Sequence, residues 1–192
     1  MNFFYYGHYD SANIDYENRT VIDIGSFIGD TALYFANNGA EVWGFEPVKK
    51  NYEYAFKLME LNPNIKHKMH FFNFGVSDKP GKLIINSMDS TNDYRNSNDS
   101  YDIDILTLDD ILIKYKIKPD ILKIDCEGCE FNIILNTDLS SFKDIIFEHH
   151  SKLVNNDYKL LIDKLKSQGF KITKLTDPNS NFEELGLIHA YK

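Results

Sequence analysis

The sequence predicts a doubly wound α/β domain, with a mostly parallel sheet, helices on both faces and an antiparallel C-terminal edge. Three observations predict it. Short apolar runs alternate with helical stretches from residue 20 to about 168, which implies βαβ units and parallel strands. The first run ends in a glycine-bearing turn that opens a helix, as in sheets that bind ligands at their strand ends. The last two strand-like runs have no helix between them, so they pair antiparallel. The 192 residues suit one domain with its own core. Residues 1–19 are read as an N-terminal extension and 20–192 as that single domain.

Each element follows from local pattern. Thr20-Val-Ile-Asp-Ile-Gly25 is an apolar run ending in glycine, suited to a buried parallel strand. A helix follows from Asp30 and stops at Asn37-Asn38-Gly39. Glu41 to Phe45 is the second strand, closed by Glu46-Pro47. The helix from about Val48 to Leu61 ends before Asn62-Pro63. Met69 to Val76 reads as the third strand, Ser77 to Gly81 as a turn, and Lys82 to Asn86 as a short extra strand. The polar stretch Ser87 to Ser100 is a loop long enough to suggest an acceptor lid or a plain surface insert. After a short strand at Ile103 to Leu106, Thr107 caps a helix to about Lys116, with Asp109 and Asp110 in its first turn. Asp120 to Asp125 is the fourth strand, Glu127 to Leu135 a helix and Asp144 to Glu148 the fifth strand. Tyr158 to Gln168 is an amphipathic helix ended by Gly169, and Phe170 to Leu175 and Leu187 to Tyr191 close the chain. The aromatic segment Phe3 to Tyr9 reads as a cover for an exposed flank.

Composition excludes several classes. The net charge of −8 opposes a phosphate backbone. Lys49-Lys50 and Lys114 to Lys118 read as solvated helix faces, so no nucleic-acid partner is expected. No apolar run approaches the roughly 18 residues of a spanning helix, and the start lacks the pattern of a signal peptide. No membrane partner is expected, and the expected location is cytoplasmic. Cys126 and Cys129 form the chain's Cys-x-x-Cys. A zinc site would need two further ligands at similar spacing, and a redox Cys-x-x-Cys would normally open a helix near the start of a domain, so the pair reads as packing cysteines with redox function as the alternative.

Candidate chemistry lies at the carboxyl ends of the strands. There stand Asp23 to Asp30, Glu46, Asn73 to Asp78, Asp125 to Glu130, and Glu148-His149-His150. Gly25 lets the backbone turn and a ligand approach. Gly29 removes a side chain where helix meets turn. The order is Gly-x-x-x-Gly-Asp; Phe27 stands where a pyrophosphate-binding turn needs glycine, and Asp30 adds a charge that a pyrophosphate would dislike. Both features favour a ligand with an amino-acid end, its ammonium on Asp23 and Asp30 and its carboxylate on turn amides. Glu46, about 20 residues beyond Gly25, has the spacing of an acid that holds ribose hydroxyls. Together these point to S-adenosylmethionine, with a nicotinamide cofactor as the alternative.

The segments Val21 to Ala36, Gly44-Phe-Glu-Pro47, Gly75-Val-Ser-Asp78, Thr107-Leu-Asp-Asp110, Leu122-Lys-Ile-Asp-Cys-Glu-Gly-Cys-Glu130 and Phe147-Glu-His-His150 resemble the FkbM family of methyltransferases. The resemblance covers roughly residues 20 to 175, and Lys-Ile-Asp-x-Glu-Gly-x-Glu is its most specific string. Phe27 departs from the small residues the family has there. Cys126 and Cys129 fall on variable positions of the string. The resemblance implies a class I, Rossmann-like methyltransferase fold and S-adenosyl-L-methionine as cofactor. It implies cofactor binding at Asp23, Gly25, Ser26, Gly29, Asp30, Glu46, Pro47, Gly75, Val76 and Asp125. It further implies methylation of a hydroxyl on a small molecule or glycan. Asp125, Glu148 and His149 are the expected catalytic groups, His149 because imidazole titrates near neutrality. No metal is assigned; a divalent ion on Asp125, Glu148 and His149 is the lesser alternative. The competing readings are a nicotinamide-dependent dehydrogenase of similar layout and a non-catalytic S-adenosylmethionine-binding protein.

Overall fold

Alternating apolar strands and amphipathic helices build a seven-stranded sheet flanked on both faces. The structure is a computed structural model that describes residues 7–86, 100–175 and 181–192. In chain order its elements are α1 (Gly7–Asp10), β1 (Thr20–Ile24), α2 (Asp30–Asn37), β2 (Glu41–Phe45), α3 (Lys49–Glu60), a 3-10 turn (Lys66–Lys68), β3 (Met69–Phe72), β4 (Gly75–Ser77), β5 (Gly81–Asn86) and β6 (Ser100–Thr107). They continue with α4 (Leu108–Tyr115), β7 (Ile121–Ile124), α5 (Cys129–Asn136), β8 (Asp144–His149), α6 (Ser151–Val154), α7 (Lys159–Ser167), β9 (Lys171–Leu175) and β10 (Gly186–Tyr191).

The strand order of the large sheet is β3-β2-β1-β7-β8-β10-β9. Pairing from β3 through β8 is parallel, and β10 is antiparallel to both its neighbours. β1, β7 and β8 are largely buried on both faces because both are covered, and they are mostly apolar apart from Asp23 and Lys123 and the polar residues of β8. One face buries Ile22, Ile24, Leu122 and Ile124 against Ile133 of α5 and Leu161 and Leu165 of α7. The other buries Val21, Val42, Ile121 and Ile146 against Phe35 and Ala36 of α2. Tyr9 and Tyr16 pack onto Phe35, with ring centroids 5.4 and 5.0 Å away. That part of the N-terminal extension covers a helix flank, as its aromatic content suggests; Phe3 to Tyr6 lie outside the described residues.

One expectation is revised. The run Met69 to Val76 is two strands, not one. Asn73 interrupts it, its side-chain amide donating to the carbonyls of Glu46 and Pro47 at 2.9 and 3.0 Å. β4 therefore leaves the large sheet and joins a three-stranded sheet, β4-β6-β5. At the C-terminus β10 inserts between β8 and β9, so β9 is the outer strand. The polar loop falls outside the described residues except for Ser100, which opens β6. Thr107 caps α4 as expected, its hydroxyl accepting the Asp110 N–H at 3.1 Å. Among the described residues, no helix is long and apolar enough to cross a membrane.

Candidate functional site

The strand order reverses at β1, whose neighbours β2 and β7 lead the chain in opposite directions across the sheet. Outside the carboxyl ends of these strands lies a cavity of about 640 Å³, where such sheets bind ligands. Gly25, Phe27 and Asp30 of the first turn line it, as do Glu46 and Pro47 after β2 and Gly75 and Val76 of β4. Asp125, Glu127, Glu148 and His150 close the far side.

The first turn is held from within. The N–H groups of Gly25 and Ser26 donate to the Phe45 carbonyl at 3.0 and 3.2 Å, and the Gly29 N–H donates to the Ser26 carbonyl. The Phe27 N–H donates to Glu46 Oε2 at 3.0 Å. These four amides are thus committed and do not receive a ligand carboxylate. Ser26 is buried and does not line the cavity. Gly29 also lies outside its wall: a Cβ there would meet Ala55 and Phe71, so this glycine serves helix packing. Asp30 does line the cavity, and burial raises its carboxyl above the ordinary value, with Asp23 adding to the rise.

Asp23 requires the largest correction. Its register partner on the adjacent strand is Lys123, and the two side chains form a buried ion pair at 2.8 Å. The Thr31 hydroxyl donates to the other carboxylate oxygen at 2.8 Å. Asp23 lies wholly behind the cavity wall, its charge matched within the protein, and is not free to receive an ammonium. The Lys123 ammonium also donates to the Gly25 carbonyl at 2.8 Å. A pair that reads in sequence as ligand-binding therefore braces the turn.

Glu46 is nearly buried. One carboxylate oxygen accepts the Phe27 N–H and the other accepts the Val48 N–H at 2.9 Å. Burial nevertheless pushes its carboxyl up to about 7. The Asn51 side-chain amide donates to that second oxygen as well, at 3.4 Å; of the carboxylate's roughly four acceptor sites, one on Oε2 remains for the cavity.

At the far side, β7 and β8 end side by side. β8 ends at His149 and His150 leads into α6, and the two histidines face opposite ways. Structure reverses the expected choice between them. His149 is fully buried on the helical side, stacked on Tyr158 with ring centroids 4.5 Å apart and its Nδ1 3.0 Å from the Ser151 hydroxyl. Burial lowers its pKa to about 4, so it is neutral and away from the cavity. His150 instead lines the cavity, two residues after Glu148 and on the same side. Its Nε2 stands 3.5 Å from Glu148 Oε2 and 3.9 Å from Asp125 Oδ1. Glu130 is buried beneath it. One Glu130 oxygen accepts the backbone N–H of His150 at 2.8 Å and faces its Nδ1 at 3.2 Å. The other accepts the Gly128 N–H at 2.8 Å. Burial alone would lower the His150 pKa; the bond to Glu130 and the nearby carboxylates outweigh it and raise it. Glu148 is pushed up to about 7, first by burial and then by the Asp125 charge.

Cys126 and Cys129 also line the cavity and are joined by a disulfide, which corrects the reading of them as free packing cysteines. Their spacing brings the sulfurs together because Glu127 and Gly128 both take positive φ, at 53° and 114°, and fold the chain back on itself. Alkylation under denaturing conditions should trap no thiols before reduction and two per chain afterwards. Two thiols before reduction would remove the bond and restore the packing reading.

The comparisons with known proteins bear on the family and the fold. The model of the methyltransferase FkbM domain matches residues 23–172. No curated protein matches by sequence. Methyltransferase FkbM from Methylobacillus flagellatus KT superposes with a TM-score of 0.66 at 16% identity, over 93% of this chain. This chain spans only 44% of that protein's length. The TrmK protein of M. capricolum, solved with S-adenosylhomocysteine, superposes with a TM-score of 0.57 at 14% identity, over 100% of this chain and 70% of that one. The N-terminal domain of human METTL16, also solved with S-adenosylhomocysteine, gives 0.58 at 17% identity, over 97% of this chain and 67% of that one. These likenesses establish a Rossmann-like fold shared with class I methyltransferases.

Proposed function

Since the chain belongs to the FkbM methyltransferase family, we propose that it transfers a methyl group from S-adenosylmethionine to a hydroxyl of a small molecule or glycan. The observation that carries this reading is the placement of acids along one cavity at the switch point. Glu46 stands at one end and Asp125 and Glu148 at the other, with Asp30 in the turn. A cofactor with two cationic groups fits such a wall; a pyrophosphate does not. When bound, S-adenosylmethionine supplies a methyl group on a sulfonium, which leaves as a neutral thioether.

The protein's own groups do the rest. Glu46 accepts from the ribose hydroxyls, and Gly75 and Val76 line the adenine. Asp30 takes the ammonium in place of Asp23, which its pairing with Lys123 removes from the wall. Gly25 admits the ligand close to the backbone. Asp125 and Glu148 orient the acceptor hydroxyl, and Glu148 accepts its proton as the oxygen gains the methyl group. Glu148 suits this role because a base is most effective when its pKa lies near the working pH, and burial has moved it to about 7.

Calorimetric titration with S-adenosylhomocysteine, S-adenosylmethionine and NAD tests the reading. The two adenosyl compounds should bind and NAD should not; tighter binding of NAD would overturn it. Glu46→Ala should weaken S-adenosylhomocysteine by about 1–3 kcal/mol, the worth of lost charge-assisted hydrogen bonds. Unchanged affinity would remove Glu46 from the ribose.

The same carboxylate sets a pH dependence. Ribose hydroxyls donate to its ionised form, whereas the empty protein holds a proton there up to about pH 7. Binding must displace that proton, so affinity rises with pH up to 7 and levels above it. S-adenosylhomocysteine should bind about tenfold more tightly at pH 8 than at pH 6, from roughly one pH unit of proton competition. In Glu46→Gln this slope should vanish, and a slope that persists would place the proton elsewhere.

A further inference from the structure

Asp125, Glu148 and His150 bring two carboxylate oxygens and one imidazole nitrogen within 4.8 Å of one another at the cavity wall. We propose that these three residues form a divalent-cation site that holds the oxygen of the methyl acceptor. The role toward an acceptor rests on the methyltransferase reading; the cation site itself does not.

Several observations carry it. The ligand set is mixed imidazole and carboxylate, donors that divalent first-row ions take, and two of the three are the carboxylates that suit Mn²⁺. The spacing fits as well. An octahedral ion with bonds of about 2.1 Å separates neighbouring ligands by about 3 Å and opposite ones by about 4.2 Å. The imidazole nitrogen lies 3.5 and 3.9 Å from the two carboxylate oxygens, so the side chains need only small shifts to close on an ion. Three protein ligands leave positions open for water and for an acceptor oxygen, as in catalytic rather than structural sites.

His150 is also oriented in the way metal-binding histidines are. Glu130 is a fully buried acid outside the trio, and it faces the Nδ1 of His150. An ionised carboxylate only accepts hydrogen bonds, so Nδ1 carries the proton that lies between them. Nε2 is thereby turned toward Asp125 and Glu148. A lone pair facing two carboxylates is unfavourable, and either a proton on Nε2 or a metal ion held between the three groups relieves it. A buried acid behind the ring is the usual means of fixing a ligating imidazole. Gly128 N–H and the His150 backbone N–H both donate to Glu130, which holds it in place.

Charge around the cavity leaves room for a cation. Asp30, Glu46, Asp125, Glu127 and Glu148 line it, against Lys123 and His150. The ammonium of Lys123 is already engaged by Asp23 and the Gly25 carbonyl. The cofactor's sulfonium could answer part of this excess. An imidazolium at His150 could answer another part, so the test must tell a proton from a metal.

Mn²⁺ provides the probe, read by electron paramagnetic resonance and by calorimetry on the full chain, with and without S-adenosylhomocysteine. One Mn²⁺ per chain should bind saturably. Glu148→Gln and His150→Ala should each weaken it at least tenfold. Glu130→Gln, which touches no metal, should weaken it by about 10–100-fold, as losses behind a ligating histidine do. Circular dichroism and the melting temperature serve as the fold control for each variant. Wild-type protein that binds no Mn²⁺ saturably, or binds it equally after Glu148→Gln and His150→Ala, overturns the site and leaves the imidazolium in its place. Failure of S-adenosylhomocysteine to bind the wild type would instead overturn the cofactor reading, whatever Mn²⁺ does.

Discussion

Lys123→Ala should cost about 3–5 kcal/mol of stability, the usual effect of removing one partner from a buried ion pair. Lys123 and Asp23 are 2% and 0% exposed and 2.8 Å apart. With the lysine gone, the Asp23 carboxylate keeps one hydrogen bond, from Thr31, and lies in the centre of the sheet without a counter-charge. The surrounding strands are apolar and cannot solvate it. In a domain of this size each kcal/mol moves the melting temperature by about 2–4 °C, so Tm should fall by roughly 6–20 °C. The double variant Asp23→Asn, Lys123→Met should recover most of the loss, since it removes both charges and keeps similar volume. Cofactor affinity should not recover with it, because the Gly25 carbonyl still lacks the ammonium that holds it. A Lys123→Ala protein within 1 kcal/mol of wild type would show that the pair is solvated in solution.

That pair also marks the limit of what the sequence discloses. Alternating strands and helices, the turn after β1, the end of β2 and the cap at Thr107 are all local patterns, and each is legible within about ten residues. The pairing of Asp23 with Lys123 joins positions 100 residues apart and depends on the register of β1 against β7. No local pattern carries register. The small sheet β4-β6-β5 and the insertion of β10 between β8 and β9 are long-range choices of the same kind. The exchange of His149 for His150 is different, because its signal was available. Glu148 is expected at the cavity from sequence, and a strand returns to the same face every second residue. His150 therefore had to share that face. The disulfide was hidden because its closure depends on positive φ at Glu127, a conformation that a residue with a side chain seldom adopts.

Gly25→Ala should be the most damaging single methyl that can be added to the site. Gly25 has φ of 75°, where a side chain strains the backbone by about 1–2 kcal/mol. Space is the greater obstacle. A Cβ at Gly25 would stand 1.8 Å from the carbonyl oxygen of Asp125 and 2.8 Å from its carbon. Both are backbone atoms, so no rotamer change relieves the overlap. The ends of β1 and β7 would have to separate, and there the Asp125 N–H donates to the Ile24 carbonyl at 3.0 Å. Separation moves Asp125 and the Gly25 carbonyl together, and with them the wall where cofactor and acceptor meet. Strain and overpacking together should cost about 3 kcal/mol or more, and S-adenosylhomocysteine affinity should fall at least a hundredfold. Gly29→Ala is the comparison. Its φ of 85° imposes similar strain, but its Cβ would meet Ala55 and Phe71 at 3.0–3.1 Å. A shift of a few tenths of an ångström in the Phe71 ring and in α3 relieves that contact. It should therefore lose less stability and keep more affinity than Gly25→Ala. If the two variants bind S-adenosylhomocysteine equally well, the close approach of β1 to β7 is not what shapes the site, and the turn acts through its conformation alone.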